Sequence, residues 1–361
     1  MPIKIDNNLS FHPKKDLIAI DLLKFFFAIC VLLLHTHWLH NLIDESFWGR
    51  VTYFFCMNAV PFFFTTGGFF IIKKINHNLT PKENISIVKP ILQYWRKMAL
   101  LYIFWCISRY LCLLICGMPF QSSFTNFLEW FFLIGYDVYW YLWSIIGFTP
   151  LFIAFITYYY FHRRRPSDFL WLISIISILL MLLNGCENTT TPNYLLPIKW
   201  LYYIQSHVCC ISMILFGFIF FLLGGYLAMT EASSSLLSSI CIIMVGYLLF
   251  YWPNSVSYFK VCLLGNILSA YGIFTLALKW RPRISHRISF TIRKMSAWIY
   301  FTHVFIISFY GAFYGKIYGE GAHLEKSATT TLIIFFLCIM SAFLCTQISK
   351  IKYFKWMNKL I

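Results

Sequence analysis

Charge is what this chain has least of. Only 12% of its 361 residues are charged, and just 13 of those are acidic against 29 Lys and Arg. A water-soluble chain of this length needs far more charge to cover its surface. No polar block is long enough to enclose a core of its own, so no appended soluble domain is expected. No C-x-x-C pair occurs among the 12 cysteines, which argues against a metal or redox framework. Eleven of them fall in apolar segments and only Cys186 falls between them, so they read as small packing residues. Nothing resembles an RNP, zinc-finger or helix-turn-helix pattern, so the net charge of +16 does not point to nucleic acid. No Ser or Cys sits in a nucleophile-elbow pattern. The first 16 residues are polar and the first apolar run is of full spanning length, so no cleavable signal peptide is expected.

What the chain has instead is apolar sequence. It is 60% hydrophobic with a mean hydropathy of +0.71. Stretches of about 20 residues, enough to cross a bilayer, recur along its whole length. The expected fold is all-α and polytopic, a single transmembrane domain over 1–361. Its ten spans fall at roughly 17–39, 50–72, 96–116, 138–161, 168–184, 207–228, 235–252, 260–279, 293–315 and 327–348. "FTNFLEWFFLIG" (124–135) is too short to cross and reads as a segment lying in the interface.

The basic residues set the orientation. With the N-terminus in the cytoplasm, 22 of the 29 Lys and Arg fall on the cytoplasmic side and five on the outer side. "HRRRP" (162–166) is then an inner anchor, both termini are cytoplasmic, and many Tyr and Trp form interfacial belts. The positive charge is topology and contact with membrane lipids.

Two basic residues, Lys24 and Arg109, fall inside spans, where an ionisable group is costly unless it faces protein or water. "DLLKFFFAICVLLLHTHWLH" (21–40) places His35 eleven residues after Lys24. That is close to three helical turns, so both share one face, about 16 Å apart along the axis. Lys24 falls in the inner half of the membrane and His35 near its outer boundary. The bland alternative is that Asp21 neutralises Lys24 and that His35 and its neighbour His37 are boundary imidazoles. Arg109, mid-span on the third helix, is expected to pair within the bundle or line a cavity.

A basic residue, ten spacers and His on the first span resembles the signature of membrane acyltransferase family 3, with Lys24 in place of Arg. Five further segments resemble that family in order. "PFFFTTGGFFI" (61–71) is similar to its Phe-rich Ser-Gly block, with Thr66 and Gly67 for the Ser-Gly. "YWRKMALLYIFW" (94–105) is similar to the basic entry to its third span. "YWYLWSIIGFTPLF" (139–152) resembles its His-Leu-Trp block, with Trp140 as the Trp and Val138 in place of the His. "LFGFIFFLLGGYLA" (215–228) and "MSAWIYFTHVFI" (295–306) resemble its late segments, the second supplying His303. Lys24 keeps the charge of the family's Arg but loses the planar fork. The family's acidic patch on the first span and its esterase-like domain are not matched.

The resemblance implies an integral membrane O-acyltransferase of the bacterial plasma membrane. It would move an acyl group, typically acetyl, from cytoplasmic acetyl-CoA to a hydroxyl of an envelope glycan or lipid-linked sugar, without a metal. His35 is then the base, an imidazole being able to stay neutral near pH 7, and Lys24 polarises the donor from the cytoplasmic side. Lys24, Arg96 and Lys97 would hold the donor. Trp140, Trp143, Arg109 and His303 are candidates on the acceptor side. Direct transfer is favoured over an acyl-enzyme. A transporter or flippase of an envelope precursor is the competing class, although no internal repeat or matched pair of broken spans favours it.

The charge split makes a prediction. Single Cys residues placed at 44, 187 and 320 in a Cys-free background should label in intact cells with a membrane-impermeant thiol reagent. Those at 14, 164 and 283 should label only after the membrane is breached. Labelling at 164 but not 187 in intact cells would invert the middle of the topology.

Overall fold

The computed structural model describes residues 18–36, 46–78, 87–117, 124–134, 137–162, 164–185, 211–230, 235–251, 258–318, 327–359 and 361. Most of these are helical and none is in a strand. The chain runs α1 (Ile18–His35), α2 (Phe47–Met57), α3 (Ala59–Asn78), α4 (Val88–Ile115), α5 (Phe124–Glu129), α6 (Trp140–Phe161), α7 (Ser167–Gly185), α8 (Ile211–Thr230), α9 (Leu236–Phe250), α10 (Tyr258–Lys279), α11 (His286–Tyr318) and α12 (Ala328–Ile348). A 3-10 segment, Lys352–Lys359, follows. A π-helical turn (Trp130–Ile134) extends α5, and a 3-10 turn (Asp137–Tyr139) leads into α6.

Each of the ten expected spans coincides with helix. Among the described residues eight stretches are long and apolar enough to cross a membrane, and Ser167–Met181 and Leu236–Phe250 are shorter apolar helices. The protein is a multi-pass membrane protein. Residues 124–134 are helical but are not among the stretches long and apolar enough to cross.

Two differences from the sequence reading bear on the site. The helices α4 and α11 begin eight and seven residues before the apolar windows that announce them. The added turns carry Lys89 and Arg287, and they place Arg96, Lys97, Arg293 and Lys294 two turns inside their helices, as part of the bundle rather than of loops. Helix formation depends on backbone bonding and not on hydropathy, so a basic turn with a polar cavity to face continues an apolar helix without penalty.

The second difference is that the segment read as one span at 50–72 is two helices, broken at Asn58. Pro61 has no N–H to give to the carbonyl of Met57, and a proline is tolerated only in a helix's first turn. Asn58 marks the break, with bonds that run back into α2 and across to α10. Its backbone N–H and its side-chain Nδ2 both donate to the carbonyl of Phe54, at 3.2 and 2.9 Å, and Ser269 Oγ donates to its Oδ1 at 2.5 Å. A second proline, Pro150, lies inside α6. The carbonyl it leaves unpaired, that of Ile146, accepts from Trp95 Nε1 at 3.3 Å. A side chain thus replaces a backbone bond where no water can.

One aromatic-rich core fills the bundle, and α3 and α8 cross at its centre. Phe148, Phe152, Phe218 and Phe221 interleave there, with Phe148 stacked on Phe218 at 5.3 Å. The crossing is close because it is made by glycine. A Cβ on Gly68 would lie 1.9 Å from the carbonyl oxygen of Phe221, and one on Gly224 would lie 1.9 Å from that of Thr65. Small residues allow such backbone approach in membrane helices.

Gly224→Val should therefore abolish the folded protein, seen as loss of the monodisperse peak in detergent chromatography. Gly311→Ala, with nothing within 4 Å of its Cβ, should keep or slightly raise the melting temperature, since Ala stabilises a helix interior by up to about 1 kcal/mol over Gly. A well-behaved Gly224→Val protein would disprove the close crossing.

Candidate active site

A cavity of about 490 Å³ opens between α1, α3, α4, α6 and α11. Four cations line it: Lys24, Lys74, Lys97 and Arg293. Its apolar wall is largely aromatic, with Phe63, Phe70, Tyr94, Tyr141 and Tyr300 among its residues. No carboxylate side chain lines it.

The way α1 and α11 are joined places these groups. Asp21, 3% exposed, accepts from Arg293 Nε at 2.8 Å and from Arg293 Nη2 at 2.7 Å, and from Ser289 Oγ at 2.7 Å. A bidentate, charge-assisted pair of this kind fixes both position and orientation. Ser296 Oγ donates to the carbonyl of Lys24 at 2.9 Å, one turn further along. Asp21 is thereby committed to Arg293. Asp21 thus acts on Lys24 at most as a nearby charge, since its close ion pair is with Arg293. Among the described residues no carboxylate forms an ion pair with Lys24. Its ammonium instead faces the cavity, with Nζ 5.2 Å from the centre of the Phe70 ring.

Eleven residues along the same helix, His35 meets a second histidine. The rings of His35 and His303 are 5.2 Å apart. His35 is half-buried and His303 fully buried. The Nδ1 of His303 faces the carbonyls of Tyr300 at 2.8 Å and Ile299 at 3.1 Å. A nitrogen between two carbonyls carries the hydrogen, so Nε2 is left as a bare lone pair. That Nε2 is buried and has no hydrogen-bond partner. The His pair is one turn from the cavity, because Tyr300 and Phe301 line it. Arg109 reaches α11 just beyond, where its Nη1 donates to the carbonyl of Val304 at 3.1 Å and to Ser308 Oγ at 2.5 Å.

The sequence candidates therefore fall into groups. Lys24 and Lys97 share the cavity, and Arg96 lines a depression beside it that also includes Lys97. His35, His303 and Arg109 gather around one stretch of α11. Trp140 packs against Phe64 and Phe216, with ring centres 6.1 and 6.4 Å away, and Trp143 packs half-buried on the core. Neither tryptophan lines the cavity. Sequence reasoning passed over Arg293, Ser296 and Tyr300. Their spacing of three and four residues marks one helix face leading to His303, and that periodicity was the available signal.

Comparison with known proteins adds one finding. A family model described as an acyltransferase domain, that of acyltransferase family 3, matches residues 17–350. No curated protein and no solved structure matches the chain.

The clamp between α1 and α11 is open to test. Asp21→Ala strands Ser289 and one face of Arg293. Since the Arg293 side chain is half exposed and can turn toward water, the expected loss is on the order of 1–3 kcal/mol, measured as a lower melting temperature in detergent. The double variant Asp21→Ala/Arg293→Ala should lose less than the two single variants added together. Strict additivity would mean that the pair contributes no coupling.

Proposed function

The chain belongs to acyltransferase family 3, and from that membership we propose that it is an integral membrane O-acyltransferase using acyl-CoA, in the simplest case acetyl-CoA. The acceptor is a hydroxyl of a cell-envelope glycan or lipid-linked saccharide. The observation that carries this reading is the pair of histidines one turn beyond a cavity lined with cations. The cavity suits the donor: ammonium and guanidinium groups attract a phosphorylated carrier, and the aromatic wall accepts its apolar arm. Lys24 to His35 spans about 16 Å along the helix, a reach comparable to that of an extended pantetheine arm.

His35 is the better base of the two. It is half-buried, so an acceptor hydroxyl can reach it, whereas His303 is sealed. In the proposed step His35 takes the hydroxyl proton as the oxygen attacks the thioester carbonyl. The C–O bond forms, the C–S bond breaks, and the proton passes to the departing thiolate. The bare Nε2 of His303 offers a lone pair beside the imidazolium that forms transiently. Lys24 lies toward the donor end, on the side where the basic loops place the cytoplasm. Donor and acceptor then meet across the membrane, as delivery to the envelope requires.

Activity measurements test this. His35→Ala should insert and fold normally but lose transfer by about 10²–10⁴-fold, the range for removal of a general base. Lys24→Ala should raise the KM for the donor more than that for the acceptor, while Lys24→Arg keeps much of the activity. Wild-type rates in a correctly inserted His35→Ala protein would remove His35 from the mechanism. A Lys24→Ala defect confined to the acceptor would move Lys24 off the donor side.

A further inference from the structure

The chain after the last span returns to the cavity. Ile361 is one of the residues lining it. The main-chain oxygen of Ile361 accepts from Lys97 Nζ at 2.8 Å. Lys294 Nζ donates to Asn358 Oδ1 at 2.5 Å, and Asn358 Nδ2 donates to the carbonyl of Ser349 at 3.0 Å. These bonds pin the segment on both sides of Lys359. Lys359 then joins Arg96 and Lys97, with Gln93 and Asn358, around a depression that shares Gln93 and Lys97 with the donor cavity. The cavity and this depression meet at those two residues, and among the described residues neither is lined by an acidic side chain. The terminal segment contributes both a wall of one and a cation of the other.

We infer that the depression formed by Arg96, Lys97 and Lys359 is a subsite for the phosphate groups of a nucleotide-bearing donor, and that Asn358, Lys359 and Ile361 are part of the binding site. The inference rests on the acyl-CoA reading above. It assigns to Lys359 a role that the acyltransferase motifs do not touch. The chemistry is consistent at each point. Arg96 and Lys359 are exposed, so they can receive a ligand without opening the bundle. Lys97 uses one of its three N–H donors on Ile361 and keeps two for a phosphate. Arg96 adds the fork that suits a phosphate's paired oxygens. The aromatic wall and the His pair then lie on the far side of Lys97, where an arm attached to the phosphates would extend. Lys97 and Arg109 are twelve residues apart on α4, about 18 Å, which sets the depth from the subsite to the level of the histidines.

The test compares two donors in inside-out membrane vesicles holding the full chain and its endogenous acceptor, following released thiol. One donor is acetyl-CoA, and the other is S-acetylpantetheine, which has the same arm and thioester but no phosphate. Lys359→Glu should raise the KM for acetyl-CoA about tenfold or more, the scale of a lost charge-assisted contact, with kcat and the KM for S-acetylpantetheine unchanged. Lys359→Arg should restore the wild-type KM. An equal rise for both donors, as expected if Lys359 serves lipid headgroups or the fold, would overturn the inference, as would no change for either. If the wild type releases thiol from neither donor, the acyl-CoA reading fails. The subsite is then judged by calorimetry with adenosine 3′,5′-bisphosphate on the purified full chain. Binding that weakens about tenfold in Lys359→Glu supports it, and absent or unchanged binding overturns it.

Discussion

The pairing of Asp21 with Arg293 is the constraint on which the rest of the site depends. Four charged or basic groups lie near one another on α1 and α11, and only one of them is an acid. Which cation takes that acid decides what is left to face the cavity. A guanidinium binds both carboxylate oxygens at once, while an ammonium offers a point charge. Asp21 therefore goes to Arg293, with Ser289 as a third donor, and Lys24 is left directed at the cavity and the Phe70 ring. The same bond sets the register of α1 on α11. With Asp21 held at Arg293 and the Lys24 carbonyl at Ser296, the two helices run side by side and bring His35 against His303. The clamp and the His pair are two consequences of one alignment.

Around that alignment the bundle manages backbone groups that lipid cannot satisfy. A helix that breaks in a membrane must find substitutes for its lost bonds. Trp95 supplies one at Pro150, where it donates to the carbonyl of Ile146. The stretch before α6 is held the same way. Tyr102 donates to the carbonyl of Phe131, Tyr300 to that of Val138, and Tyr139 to that of Phe301. Tyrosine is suited to this, with an apolar body for the core and a hydroxyl for one stray carbonyl. The richness in Tyr that read from sequence as interfacial belts is thus partly interior wiring. Tyr300 does both jobs, since it ties Val138 in place and lines the cavity below His303.

Much of the architecture was legible because hydropathy and helix length are local properties. All ten apolar segments became helix, and the Lys24–His35 face was visible from spacing alone. The starts of α4 and α11 were not, because a basic helical turn beside a polar cavity looks like a loop in a hydropathy profile. The break at Asn58 was hidden for the opposite reason, as a kink at a single Asn leaves the apolar run uninterrupted. Arg293 could not be separated from the other basic residues near it until the partner 272 residues away was known. Pairing across such a separation belongs to the tertiary structure. Trp140 and Trp143 carried a sugar-stacking expectation by residue type, yet the register of α6 turns them to core contacts outside the cavity. Ser349, Asn358 and Ile361 gave no signal, because their roles exist only where the chain folds back on Lys97 and Lys294.

The side-chain hydroxyls that line the cavity bear on whether the acyl group pauses on the protein. Thr66 and Ser296 are its two aliphatic alcohols. Thr66 Oγ1 donates to the carbonyl of Phe62 at 2.7 Å, and Ser296 Oγ donates to that of Lys24 at 2.9 Å. A serine or threonine becomes a nucleophile only when a base is placed to take its proton, and a carbonyl oxygen holds that proton without accepting it. Among the described residues no cysteine lines the cavity either. The imidazoles near it are those of His303, whose buried Nε2 has no hydrogen-bond partner among the described residues, and of His35 beside it. The most economical chemistry for such a site is to activate a hydroxyl brought by the acceptor and to pass the acyl group to it in a single step. This supports direct transfer, and it explains why the cations and the histidines are kept a helix-length apart. In the proposed reaction one end serves a charged donor and the other a neutral alcohol, and only the thioester at the tip of the donor's arm needs to reach both.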